Sequence, residues 1–189
     1  MWYPILLAFQ ALSLSELMKY KFKPPSKNII FFDTEFSSLD PYKGEILSVG
    51  LVTLDGIELY LELEYDGPID PWVEKNIIPT LNRPKISRRA ALNIIRKFVG
   101  KKMPYLVAYV NQYDVIYTYK LFQRKDEPFY WLPIDFASIL FALGINPEAY
   151  YPKDKENFFK KIGIDSSKYH EHNALDDAKF LRDVYLKMV

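Results

Sequence analysis

The chain has 189 residues, a length that fits one domain. Nearly half of them (49%) are hydrophobic and 26% are charged, a globular balance that excludes a wholly disordered or collagen-like chain. With 25 Lys and Arg against 24 Asp and Glu any phosphate binding must be local, and with no cysteine at all disulfides, zinc-thiolate sites and thiol nucleophiles are excluded, so a cytoplasmic setting is the default.

Residues 1–17 are mostly apolar (Ile5, Leu6, Leu7, Phe9, Leu12) but shorter than the roughly 20 residues that span a bilayer. They lack the basic start and the small-residue cleavage site of a secretory signal, so no membrane association is expected. A second methionine, Met18, follows. Residues 1–27 therefore read as an N-terminal extension, possible to translate from upstream of the true start, ahead of a single domain over 28–189.

After the breaker Pro24-Pro25-Ser26, the run Asn28 to Phe32 is continuously apolar, as in a strand buried on both faces. Glu45 to Leu54 reads as a second strand, and Asp55-Gly56 as a hairpin turn into a third over Ile57 to Tyr65. The third alternates: Ile57, Leu59, Leu61, Leu63 and Tyr65 share one face, and Glu58, Tyr60, Glu62 and Glu64 are expected on a solvated face or rim. Asp70-Pro71 starts a short helix through Asn76, and Ser87 to Val99 a longer one ended by Gly100. Tyr105 to Val110 is a short strand, Tyr113 to Gln123 a helix, Asp135 to Leu143 a helix stopped by Gly144, and Asn173 to Met188 the last helix, with a further helix over Lys155 to Lys161. Three antiparallel strands followed by alternating helix and strand predict an α/β fold, a mixed sheet flanked by helices.

Chemistry concentrates in three places. Asp33-Thr34-Glu35 ends the first strand, where residues two apart point to the same side, so both carboxylates project together and call for a divalent cation. The spacing alone is weak, since Asp154-Lys155-Glu156 repeats it in a lysine-rich setting; the strand context distinguishes the first. Asp114 follows a strand and opens a helix, as a ligand at a strand end or as an N-cap. Asp177 falls on the inward face of the last helix with Phe180, Leu181 and Val184, where an acid is costly unless paired or metal-bound, whereas Asp176 can turn to solvent near the helix amino terminus. His172, just before that helix, is either a proton acceptor at neutral pH or a surface histidine like His170.

Together, Phe32-Asp33-Thr34-Glu35-Phe36, Asn111-Gln112-Tyr113-Asp114 and His172 with Asp177 five positions on resemble the DEDD exonuclease superfamily, in its histidine branch. The tyrosine branch is disfavoured because Asn173, not an acid, stands at the required spacing from Tyr169. The stretch from Tyr60 through Asp70-Pro71-Trp72-Val73-Glu74-Lys75-Asn76-Ile77-Ile78-Pro79 is similar to the small bacterial 3′–5′ exoribonucleases of the mycobacterial type; proofreading subunits of replicative polymerases, ribonuclease T and oligoribonuclease are more distant. The resemblance implies an RNase H-like fold and 3′–5′ hydrolysis of single-stranded nucleic acid, RNA favoured over DNA, to nucleoside 5′-monophosphates. Two divalent ions, Mg²⁺ or Mn²⁺, would be held by Asp33, Glu35, Asp114 and Asp177, with His172 taking a proton from water. It also implies substrate contacts from Thr34, Phe36, Leu39, Tyr113 and Asn111, and a homodimer.

Other features stay ambiguous. Trp72 fits a stacking residue, a core anchor or a subunit contact, and Tyr113 fits core packing as well as stacking. Arg83, Lys85, Arg88 and Arg89, and Lys120, Arg124 and Lys125, either track a phosphate backbone or are soluble surface. A DNA exonuclease and a catalytically silent nucleic-acid-binding module are the competing functions.

Overall fold

Three antiparallel strands open the fold: β1 (Ile29–Phe36), β2 (Ile46–Thr53) and β3 (Glu58–Leu63). The Asp55-Gly56 turn joins the last two, with Gly56 at φ +91, a conformation glycine adopts without penalty. Helix α1 (Pro71–Asn76), strand β4 (Lys85–Ile86), α2 (Arg88–Val99), β5 (Tyr105–Ala108), α3 (Gln112–Phe122), β6 (Ile134–Asp135), α4 (Phe136–Ala142) and α5 (Ala174–Met188) follow. The computed structural model describes residues 21–123, 127–147, 159 and 162–189. The apolar stretch 1–17, Asp154-Lys155-Glu156, Arg124, Lys125 and, apart from Phe159, the helix expected over 155–161 lie outside them.

The strands form one six-stranded sheet in the order β4-β3-β2-β1-β5-β6. The pairs β1–β5, β3–β4 and β5–β6 are parallel. The mixed α/β architecture expected from the sequence is present; β4 and β6, at two residues each, are too short to leave a periodic signal. Alternation along β1 divides the core. Ile30 and Phe32 join Ile95, Tyr117 and Leu121 from α2 and α3 on one face, while Ile29 and Phe31 join Phe136, Leu181 and Val184 from α4 and α5 on the other. Each of these large buried side chains contributes about 1.5–3 kcal/mol.

Local signals set the helix ends. Ser87 Oγ accepts from Ala90 N at 3.3 Å, Asp135 accepts from Ala137 N and Ser138 N, and Asn173 Oδ1 accepts from Asp176 N at 3.2 Å. Asp70 differs: its side chain makes no cap bond, and its backbone N–H instead donates to Ser37 O at 2.9 Å. Residues 21–27 are held against the body, since Phe22 N donates to Met188 O at 2.9 Å and the Phe22 ring lies 5.2 Å from Tyr185. None of the helices among the described residues is long and apolar enough to cross a membrane.

The third strand corrects one expectation. Glu58 and Glu64 are exposed, but Tyr60 is half-buried and Glu62 is only 1% exposed. Its partner across the ladder, Ser48, is also buried, and the next residue in that row is Glu35. The expected rim is thus a covered polar face, because the segment after β3 folds back over it.

Candidate active site

The sheet face that begins apolar at Ile29 and Phe31 turns acidic at Asp33 and Glu35, two and four residues further along the same side of β1. Asp177 arrives from α5. One carboxylate oxygen from each of Asp33, Glu35 and Asp177 lies within 4.8 Å of the others. The approach depends on Gly50, which pairs with Asp33 in β2: a Cβ there would sit 2.1 Å from the Ala174 carbonyl oxygen. Glycine therefore lets the first turn of α5 rest directly on the sheet beside the acids.

Asp114 meets β1 from the opposite side, at Thr34. It is the third residue of α3, whose cap position is Asn111, so the N-cap alternative does not hold. Thr34 points away from Asp33 and Glu35, and donates to Asp114 Oδ1 from both its backbone N–H (2.8 Å) and its hydroxyl (2.7 Å). Both residues are buried. Thr34 thus holds Asp114 at the strand, and Asp114 lies outside the three-oxygen grouping while its charge still acts on Asp33 and Glu35.

Electrostatics follow from the crowding. Burial, then the Asp114, Asp177 and Glu35 carboxylates, hold Asp33 well above the usual carboxylate range. Burial, then Asp177 and Asp114, push Glu35 up to about 8. Burial raises Asp114 to about 7 against the opposing pull of its two bonds from Thr34. Like charges on a half-covered face favour protonation unless a cation offsets them. Hard oxygen donors in this arrangement fit a divalent ion of the Mg²⁺ or Mn²⁺ kind.

His172 stands exposed just before α5 with φ +61. Its ring meets Trp72 edge-on, with 5.2 Å between centroids, and its carbonyl accepts from Thr80 Oγ1 at 3.0 Å. Trp72 is 56% exposed, so it is not a core anchor. His170 is occupied differently, with its Nδ1 2.9 Å from Asp176 Oδ2. Asp176 is accordingly half-buried in that contact rather than turned to solvent.

Among the expected substrate contacts, Leu39 is 61% exposed in the loop after β1. Phe36 stacks on Tyr117 at 4.6 Å and lies 5.7 Å from Tyr113, so both Phe36 and Tyr113 are half-buried against the core. Asn111 is half-buried with its side chain unused as a cap, next to Val110, whose φ of +51 is strained for a β-branched residue. The basic clusters divide. Lys120 Nζ is spent on Pro41 O (3.1 Å), Gly44 O (2.6 Å) and Glu45 (3.0 Å), and Arg88 pairs with Glu45 at 2.7 Å, so both brace the 37–45 loop. Arg83, Lys85 and Arg89 are exposed. Sequence reasoning missed Gly50, Glu62 and Thr80; a glycine inside the apolar strand 46–52 was a signal for close backbone approach, while the other two left none.

No family model matches the sequence. The DNA polymerase III subunit epsilon of Rickettsia prowazekii (strain Madrid E) is 25% identical over 170 residues, covering 84% of this chain and 72% of that protein. Among solved structures, the zinc-bound E. coli exonuclease I–ssDNA complex aligns over 85% of this chain with a TM-score of 0.66 and 18% identity. E. coli exonuclease I with a dA16 oligonucleotide aligns with a TM-score of 0.67 and 17% identity. The fold is RNase H-like. Exonuclease I of Methylocaldum szegediense shares it, with a TM-score of 0.62 and 15% identity over 82% of this chain. The chain spans about 40% of the length of the E. coli exonuclease I structures.

Proposed function

We propose that this chain is a metal-dependent 3′–5′ exonuclease of the DnaQ-like, DEDD-histidine kind that acts on single-stranded nucleic acid in the cytoplasm. One observation carries the reading: carboxylates from β1 and α5, distant in sequence, meet within 4.8 Å, and the loop leading into that same helix presents His172. Divalent ions bound by Asp33, Glu35, Asp177 and Asp114 would supply water activation and neutralise charge on the leaving oxygen. His172 takes the proton from the attacking water at its imidazole. Thr34 fixes Asp114 against β1 beside the acids, and Asn173 caps the helix that carries Asp177. Exposed Leu39 and the half-buried Phe36–Tyr113 pair would offer apolar surface to terminal bases, with Asn111 and Thr34 as the further substrate contacts of this reading. Nucleoside 5′-monophosphates are the products.

The similarity to polymerase III epsilon and to exonuclease I bound to single-stranded DNA supports DNA as substrate. An exoribonuclease is the second reading, for which the likeness of the Pro71-Trp72-Val73 segment to that of the small bacterial exoribonucleases speaks. A time course on matched 5′-labelled RNA and DNA oligonucleotides with Mg²⁺, Mn²⁺ or EDTA tests both. A descending ladder abolished by EDTA and by Asp33→Ala is the expected result, and the strand that yields it assigns the substrate. Folded protein giving no ladder on either strand would make the site a binding module.

A further inference from the structure

A left-handed φ at a residue other than glycine persists only where its surroundings impose it. For His172 both the hydrogen bond to its carbonyl and the contact to its ring come from one segment, residues 70–83. Thr80 supplies the hydrogen bond, its single hydroxyl proton shared between the carbonyls of His172 at 3.0 Å and Ile77 at 2.9 Å. Trp72 supplies the ring contact.

The segment is itself fastened to the sheet face that bears the acids. Glu62 Oε1 accepts from Asn82 N at 2.8 Å, Arg83 N at 3.0 Å and the Tyr60 hydroxyl at 3.1 Å. Val73 and Ile77 close over Leu47, the residue left unpaired where the β1–β2 register slips after Glu35. Glu62, Ser48 and Glu35 stand in one row across three strands. The row that holds a candidate metal ligand at one end therefore fixes, at its other end, the segment that holds the histidine.

We propose that Thr80 is a positioning residue for His172, fixing through the His172 carbonyl how the imidazole is presented ahead of the helix that carries Asp177, with Glu62 anchoring the turn that carries Thr80. The kinetic part of this proposal rests on the nuclease reading above; the structural part does not. With only two histidines in the chain, a His170→Gln variant assigns both imidazole signals in an NMR spectrum. Thr80→Val keeps the side chain's shape and removes the hydroxyl, and Thr80→Ala serves if the valine variant misfolds. In either variant the His172 imidazole signals are expected to shift and broaden, those of His170 to stay, and Thr80→Ser to restore the wild-type spectrum. In turnover, kcat is expected to fall about tenfold, the effect of a lost hydrogen bond worth about 1.4 kcal/mol, with KM for the oligonucleotide nearly unchanged. In a His172→Ala background the same substitution is expected to cost nothing further. Unchanged His172 signals, or an equal loss of kcat in that background, would overturn the proposal. A wild-type protein without metal-dependent cleavage whose His172 signals still respond to Thr80→Val would overturn the nuclease reading alone and leave the positioning in place.

Discussion

Asp33 and Glu35 occupy positions that alternation assigns to the same side as Ile29 and Phe31, so the chain places ionisable groups where a core would continue. The cost appears in their titration. Glu35 moves from its ordinary 4.5 up to about 8 and Asp114 from 3.8 up to about 7, through burial first and neighbouring carboxylates second for Glu35, and through burial for Asp114. A raised folded-state value means that the folded protein keeps a proton the unfolded chain releases, so this contribution is fully present below pH 4 and lost as pH rises to about 8. Metal-free protein in EDTA is therefore expected to melt lower at pH 8 than at pH 5, and Mn²⁺ is expected to recover Tm at pH 8 by binding the folded state. Asp33→Asn removes one of the repelling charges, and it should raise the metal-free Tm at pH 8 by about 5 °C while abolishing the Mn²⁺ effect. Thermal melts at both pH values check all three statements, and a Tm independent of metal would remove the cation from the account.

Between elements, the decisive contact is α5 resting on β2. Gly50→Ala places a methyl 2.1 Å from the Ala174 carbonyl oxygen and 2.3 Å from its carbon, both backbone atoms that yield only if α5 moves. The expected result is a loss of about 1–3 kcal/mol in urea unfolding and, as Asp177 shifts away from β1, a fall in single-turnover cleavage of about a hundredfold or more. An Ala variant with wild-type cleavage would show that α5 need not sit so close. The 37–45 loop shows a similar economy. Lys120 and Arg88 both close on Glu45, and the Tyr117 hydroxyl donates to the Ser38 carbonyl beneath it, so two cations that look in sequence like a phosphate track instead hold the loop that displays Leu39.

For the whole molecule, the homodimer implied by the resemblance is tested by light scattering after size-exclusion chromatography, with twice the chain mass as the expected value. Much of the architecture was legible beforehand. The apolar run of β1, the Asp55-Gly56 turn, the caps at Ser87, Asp135 and Asn173 and the stop at Gly100 are local signals, readable because each depends on a few neighbouring residues. The three acids of the cluster were also legible, as a strand pair and a helix position that a core could not otherwise tolerate. Burial of Glu62 was not, because alternation reports which residues share a face and is silent on what later covers it. Nor could spacing show that Thr34 belongs to Asp114, that Gly50 admits Ala174, or that Thr80 reaches a residue 92 positions away. The sequence by itself thus determined the longer described elements, their order and the three acids that the fold gathers, since those follow from local propensity and periodicity. Only the tertiary structure decided which acids meet, which cations are spent on the scaffold and what holds the histidine, since those depend on contacts between segments far apart along the chain.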